Sequence, residues 1–181
     1  MITIDISNIA IRKIRLNDAD CFSKLVQQVE HESEYMLWES GERIITLEQQ
    51  KNRIESFQKD KKSEILVAEV EENLVGYLIA IGNQPRRVQH IAYIVVGIIE
   101  ACQGRGIGKA LFEALIKWAE EQWISRLELT VRVDNESAVG LYKRMGFEIE
   151  GIKRHSIYID GKYVDSYYMA LLLDGHGGYR T

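Results

Sequence analysis

Proline occurs once and cysteine twice in the 181 residues of this chain. The two thiols, Cys21 and Cys102, are too few and too far apart in sequence for a disulfide framework, so reduced thiols are expected. The single proline, Pro85, belongs to a turn, N-Q-P-R-R. No repeat, linker or low-complexity run interrupts the chain, and one domain is expected. No apolar run approaches the roughly 20 residues that span a bilayer. The N-terminus, M-I-T-I-D-I-S-N, lacks the basic segment and apolar core of a signal peptide. Positive charge is not in excess: the net charge of −4 leaves no overall basic field for nucleic acid or an acidic membrane, and Pro85-Arg86-Arg87 is only a local basic spot. The four histidines, His31, His90, His155 and His176, show no ligand spacing, and no metal is expected. Hydrophobic residues at 46% and charged residues at 28% are ordinary globular proportions, which argues against disorder. The expectation is a soluble cytoplasmic protein with a sizeable core.

What the chain does contain is concentrated between Cys102 and Trp123. Gly104, Gly106 and Gly108 stand at alternate positions and lead straight into a helical pattern. Ile107, Ala110, Leu111, Ala114, Leu115, Trp118 and Ala119 form one apolar face, with Lys109, Glu113, Lys117, Glu120 and Glu121 opposite. Before the glycines, H-I-A-Y-I-V-V-G-I-I (residues 90–99) is β-branched and nearly uncharged, as in a strand buried on both faces. Strand, glycine turn and helix together direct the first-turn N–H groups and the positive end of the helix dipole outward, a site for phosphate. A P-loop would need glycine at Gln103 and a hydroxyl at Ala110. A dinucleotide fingerprint needs G-x-G-x-x-G, and the spacing here is one residue short.

The remaining elements follow from local signals. Residues 9–15 read as a strand, then Asn17 or Asp18 caps a helix to about Glu30, with Ala19, Phe22, Leu25, Val26 and Val29 as its stripe. Residues 31–41 have no period. Thr46 and Gln49 form a capping box for a helix to about Lys59. Two strands, residues 63–70 and 74–81, flank the turn at Glu71-Glu72-Asn73. Residues 127–133 alternate as a strand. Residues 135–145 form a short helix stopped by Gly146. Asp160-Gly161 joins two final strands, residues 147–159 and 163–173, and the tail from residue 174 is expected to fray. The order β-α-α-β-β-β-α-β-α-β-β gives an α/β fold. Its mixed, mostly antiparallel sheet of about seven strands carries helices on both faces, and a parallel pair flanks the glycine turn. A ligand belongs at the C-terminal ends of that pair.

Gln103, Gly106 and Gly108 fill [Q/R]-x-x-G-x-[G/A]. Asn135, Ala138, Leu141, Tyr142, Gly146 and Phe147 fill N-x-x-[AS]-x-x-[LF]-Y-x-x-x-G-F, beginning 32 residues after Gln103. Together the two motifs resemble the signatures of the GNAT N-acetyltransferase superfamily, which binds acetyl-coenzyme A. The ending, with Gly151, Arg154, Asp160, Gly161, Tyr163, Asp165 and Met169, is similar to the branch holding ribosomal-protein and polyamine-type acetyltransferases.

The resemblance implies a set of roles. Main-chain N–H groups from Gln103 through Gly104, Arg105, Gly106, Ile107 and Gly108 would hold the pyrophosphate, with Arg105 and Lys109 able to add charge. The strand end at Gly97 and Ile98 would pair with the pantetheine arm as a surrogate strand. Asn135 would cap its helix or bond the arm, beside Ala138. Tyr142 would protonate the departing thiolate. The chemistry is attack of a neutral amine on a thioester, with a strand N–H stabilising the oxyanion. No covalent intermediate is needed, and Cys102 reads as a packed thiol.

The general base stays open. Tyr93 stands where relatives often carry glutamate, and Glu34, Glu39, Glu128 or a water chain are the alternatives. Trp38 and Arg43 are candidate substrate contacts. The expected acceptor is a primary amine, on a small molecule in preference to a protein N-terminus. A non-catalytic acyl-coenzyme A sensor is the rival reading, and a homodimer through the terminal hairpin is expected by analogy only.

Overall fold

In the computed structural model, residues 8–173 are described. The expected frayed tail and His176 lie outside them. Seven strands form one sheet in the order β1-β2-β3-β4-β5-β7-β6. They are β1 (Ala10–Lys13), β2 (Glu64–Val70), β3 (Asn73–Gly82), β4 (Ile91–Ile98), β5 (Arg126–Arg132), β6 (Glu148–Ile159) and β7 (Lys162–Leu172). The helices are α1 (Ala19–Glu32), α2 (Leu47–Lys59), α3 (Ile107–Glu121) and α4 (Glu136–Arg144). Every neighbouring pair in the sheet is antiparallel except β4 and β5. Those two are parallel because α3 carries the chain across between them.

Local chemistry explains most boundaries. The Thr46 box is formed: Gln49 N–H donates to Thr46 Oγ1 at 3.2 Å, and Thr46 N–H donates to Gln49 Oε1 at 2.9 Å. Glu71 and Glu72 take left-handed φ values of 48° and 65°, the two-residue turn that matches strand twist, built here without glycine. Asp160 and Gly161 make the equivalent turn between β6 and β7. One start differs from expectation. Asp18 does not cap α1 with its side chain. Its carboxylate accepts from Arg15 N–H at 2.7 Å and from Arg12 Nη1 at 2.7 Å, tying a 3-10 turn to β1, and α1 runs on to Glu32.

Adjacent residues of β3 show which helices cover which face. Tyr77 meets Phe22 of α1 edge-on, ring centroids 5.6 Å apart, while a Cβ on Gly76 would touch Ile107 of α3 at 3.5 Å. Thus α1 and α2 cover one face and α3, with α4 beside it, the other. On the second face Phe112 packs against Tyr142 and Phe147 at 5.6 Å each. Ile107, Leu111, Phe112 and Leu115 are almost wholly buried, and each such side chain contributes roughly 1.5–3 kcal/mol.

Candidate active site

β4 and β5 pair only at their beginnings, through Ile91–Arg126, Ala92–Leu127 and Tyr93–Glu128. Beyond Tyr93 the two strands diverge, although β4 stays paired to β3 as far as Ile98 and β5 to β7 as far as Arg132. The result is a fork whose inner edges carry main-chain groups without a ladder partner. Gly97 and Ile98 lie at the end of one arm. Gly97 is dictated by its neighbour, since a Cβ there would fall 2.7 Å from the ring of Tyr77.

The glycine turn sits at the end of the same arm. Cys102 and Gln103 close a 3-10 turn, and the Gln103 side-chain amide donates back to the Ile98 carbonyl at 3.1 Å. The Gln103 N–H is itself taken by the Glu100 carbonyl at 3.1 Å, which narrows the expected anion cradle to the residues after it. Gly104 and Gly106 hold φ of +70° and +86°, and a Cβ on either would meet open space. The first helical bond of α3 runs from Ala110 N–H to the Gly106 carbonyl, so the N–H groups of Ile107, Gly108 and Lys109 have no helical partner. Gly108 has another role: a Cβ would lie 2.7 Å from Leu141, so this glycine sets how closely α3 and α4 approach. Lys109 is exposed and 3.5 Å from Glu113. Cys102 is fully buried and burial raises its thiol pKa, the state of an inert packed cysteine.

Two tyrosines bracket the fork from opposite faces. Tyr93 shares a face with Tyr77, and its hydroxyl lies 2.7 Å from Thr130 Oγ1 of β5, a bridge across the fork just where the strands part. Tyr142 stands on α4 on the other face, 7% exposed. Burial first, and the neighbouring Tyr93 phenol second, push the Tyr142 pKa far above the ordinary tyrosine value, so it is neutral at physiological pH. Asn135 Oδ1 accepts from Ala138 N–H at 3.1 Å and so caps α4.

The remaining candidates are placed as follows. Glu128 accepts from Arg126 Nε at 3.0 Å, and Arg126 also binds Glu150, so that carboxylate is already paired. Glu34 and Glu39 are exposed on the connection between α1 and α2. Trp38 and Arg43 come together there, with the guanidinium 5.3 Å from the indole centroid. Arg43 is turned toward α1, where its Nε donates to the buried Glu30 carboxylate at 3.0 Å, and its charge is met there. A shallow depression, lined by Ser23, Gln27 and Glu30 of α1 and Gln50 of α2, lies beside Arg43. Among the described residues no group of histidine, cysteine and carboxylate side chains could hold a metal, and no helix could cross a membrane.

Sequence reasoning missed Thr130 and Arg132. Both read as the polar half of an alternating strand. Only pairing with β4 and β7 shows that Thr130 meets Tyr93, and that Arg132, 8% exposed, is buried at the fork's mouth.

A diverging parallel pair with a glycine turn and a helix N-terminus at its end defines an α/β domain built to hold an extended, phosphate-bearing ligand. The sequence profile of the acetyltransferase (GNAT) family matches residues 23–147, and the chain belongs to that family. It is 40% identical over 108 residues to the L-amino acid N-acetyltransferase AaaT of Escherichia coli, spanning 58% of this chain and 65% of that protein. To an N-alpha-acetyltransferase of Sulfurisphaera tokodaii it is 32% identical over 121 residues, 62% of this chain and 71% of that one. A GNAT-family acetyltransferase structure from Streptococcus pneumoniae superposes with a TM-score of 0.88 at 28% identity, covering 92% of this chain and 99% of the other. A phosphinothricin acetyltransferase from Sinorhizobium meliloti, solved with acetyl-coenzyme A, has a TM-score of 0.81 over 96% of this chain and 93% of its own. At 18% identity it bears on the fold alone.

Proposed function

We propose that the protein transfers the acetyl group of acetyl-coenzyme A to a primary amine by direct attack within the fork. The observation that carries this is the fork itself: main-chain edges without ladder partners lead from open-space glycines to a buried neutral phenol. The cradle fits a pyrophosphate, because the N–H groups of residues 107–109 point outward at the positive end of α3 and no side chain fills the space beside Gly104 and Gly106. Arg105 and Lys109 would add charge at its rim. Gly97 and Ile98 would meet the amides of the pantetheine arm, while Asn135 and Ala138 hold α4 and with it Tyr142 in place. Bound there, acetyl-coenzyme A supplies an activated thioester carbonyl.

The chain's own groups then have definite tasks. Tyr142 Oη keeps its proton through neutral pH and would give it to a departing sulfur, a role worth roughly 10²–10⁴-fold. The bridged hydroxyls of Tyr93 and Thr130 lie on the opposite face, where they can accept a hydrogen bond from an incoming amine. The exposed Glu34 beside that mouth favours an ammonium-bearing acceptor. Holding both reactants in one crevice contributes up to ~7–11 kcal/mol in well-oriented systems.

The acceptor we favour is a small amine of the amino-acid type, in line with the Escherichia coli relative. Acetylation of a protein N-terminus is the second reading, favoured by the Sulfurisphaera relative. A homodimer would use β6, the outer strand of the sheet, with Ile152 and Tyr158 exposed. The test is release of coenzyme A thiol over a panel of L-amino acids, polyamines and N-terminal peptides. Turnover on amino acids supports the first reading, and turnover confined to peptides replaces it with the second. Coenzyme A binding with no turnover on any amine would make the protein an acyl-coenzyme A sensor.

A further inference from the structure

The segment after α1 crosses the open end of the fork and is fastened on both sides. On the β4 side, Glu32 Oε2 accepts from Glu100 N–H at 2.7 Å, two residues beyond the end of the strand. On the β5 side, Arg132 Nη1 donates to the Glu34 carbonyl at 2.7 Å across 98 residues of sequence, and its guanidinium lies 4.7 Å from the Tyr35 ring. The same guanidinium is held by Asp134, through Nε to Oδ1 at 3.0 Å and Nη2 to Oδ2. Arg132 faces the same side of the sheet as Thr130 and Tyr93, by strand alternation. Residues 32–35 therefore pass over the face on which Tyr93 and Thr130 meet. The returning chain is anchored a second time by Arg43 on Glu30.

We propose that Arg132 is a positioning residue that holds residues 32–35 as a strap across the fork, and that the acceptor amine is seated beneath this strap. The inference rests on the acetyl-transfer reading and adds what fixes the acceptor side. Arginine suits the task because its planar fork satisfies Asp134 with one edge while a third N–H reaches the Glu34 carbonyl; an ammonium cannot keep both. Tyr142 and the glycine turn lie on the other face, and the Glu32–Glu100 bond at the β4 side does not involve Arg132, so loosening the Arg132 end leaves the cofactor cradle in place. Its loss should appear in acceptor binding alone.

The test compares Arg132→Met and Arg132→Lys with the wild type, using whichever amine the wild type turns over best. For Arg132→Met the KM for that amine should rise about tenfold or more, with kcat changed less than about threefold, the pattern of lost binding that is uniform between ground and transition states. The acetyl-coenzyme A dissociation constant should stay within about twofold, and amide hydrogen exchange at residues 33–36 should speed up. Lysine should recover part of the KM. If Arg132→Met does not fold, Tyr35→Ala removes the ring under the guanidinium at an exposed position and should raise KM in the same direction. An unchanged KM alongside faster exchange overturns the acceptor role. A parallel fall in kcat, cofactor affinity and thermal stability reduces Arg132 to a fold-stabilising residue. A wild type that turns over no amine overturns the acetyl-transfer reading and the acceptor role with it, whereas turnover with an unmoved KM sinks the strap alone.

Discussion

Replacing Tyr142 by phenylalanine should weaken catalysis and leave the fold as stable as before or slightly more so. The residue is 7% exposed and its hydroxyl keeps some contact with solvent, while burial first and the Tyr93 phenol second account for its raised pKa. An unpartnered buried hydroxyl costs about 1–3 kcal/mol in mutational data. At 7% exposure some of that cost is relieved by water, so phenylalanine should gain between 0 and about 1 kcal/mol. For a chain of this length that is a rise of up to about 2–4 °C in Tm. The ring contacts with Phe112 and Phe147 are kept. Loss of a proton donor at the thiolate, by contrast, should lower kcat by roughly 10²–10⁴-fold, or ~2.7–5.5 kcal/mol of transition-state stabilisation. Steady-state thiol release, calorimetric titration with coenzyme A and thermal denaturation read the three quantities separately. Turnover within about threefold of wild type would remove the acid role, on the ordinary scale for a general acid. A drop in Tm of several degrees would show that the hydroxyl has a structural partner.

Three further outcomes follow from named geometry. Gly106→Val puts a branched side chain on a residue at φ +86°, costing about 1–2 kcal/mol of backbone strain, and points it into the space left for phosphate. Calorimetry should show coenzyme A affinity lost, and retained affinity would move the site elsewhere. Gly97→Ala would drive a methyl group to 2.7 Å from the buried Tyr77 ring, an overpacking worth about 1–3 kcal/mol that should lower Tm and, by shifting the arm of the fork, weaken coenzyme A binding too. An unchanged Tm would mean that β4 yields freely there. The hydrogen bond from Arg132, opposed by slight desolvation, holds the Asp134 carboxyl below its ordinary value. A depressed folded-state pKa gives stability that is present above the unfolded value of about 3.9 and is lost as pH falls through the folded one. The stability difference between wild type and Asp134→Asn should therefore be flat from about pH 8 to 5 and shrink below about pH 4. A difference that instead grows on acidification would contradict the Arg132–Asp134 pairing.

Much of this protein was legible in the chain because its signals are local. A capping box at Thr46 and Gln49, a two-residue turn at Asp160-Gly161, and the periodicity of α3 each depend on residues within a few positions of one another. Local propensity and burial there agree. The glycine turn and the helix of Asn135 and Tyr142 were recognisable for the same reason, and with them the family and the crevice between β4 and β5. Other features depend on partners remote in the chain. Asp18 is a natural cap residue, but Arg12 and Arg15 claim its carboxylate. Gly108 looks like a phosphate glycine, and what forbids a side chain is Leu141 of another helix. The pairing of Arg43 with the buried Glu30 carboxylate likewise has no signature in the local sequence.

Sequence by itself determined the elements, their order and the glycine turn, since helix termini, tight turns and apolar stripes are encoded within one or two turns of chain. Tertiary structure alone decided how far the fork opens, which hydroxyl bridges it, and that the buried Arg132 bonds the Glu34 carbonyl 98 residues away. Those facts come from strand register and from charges meeting across the sheet, and neither has a local trace in the chain.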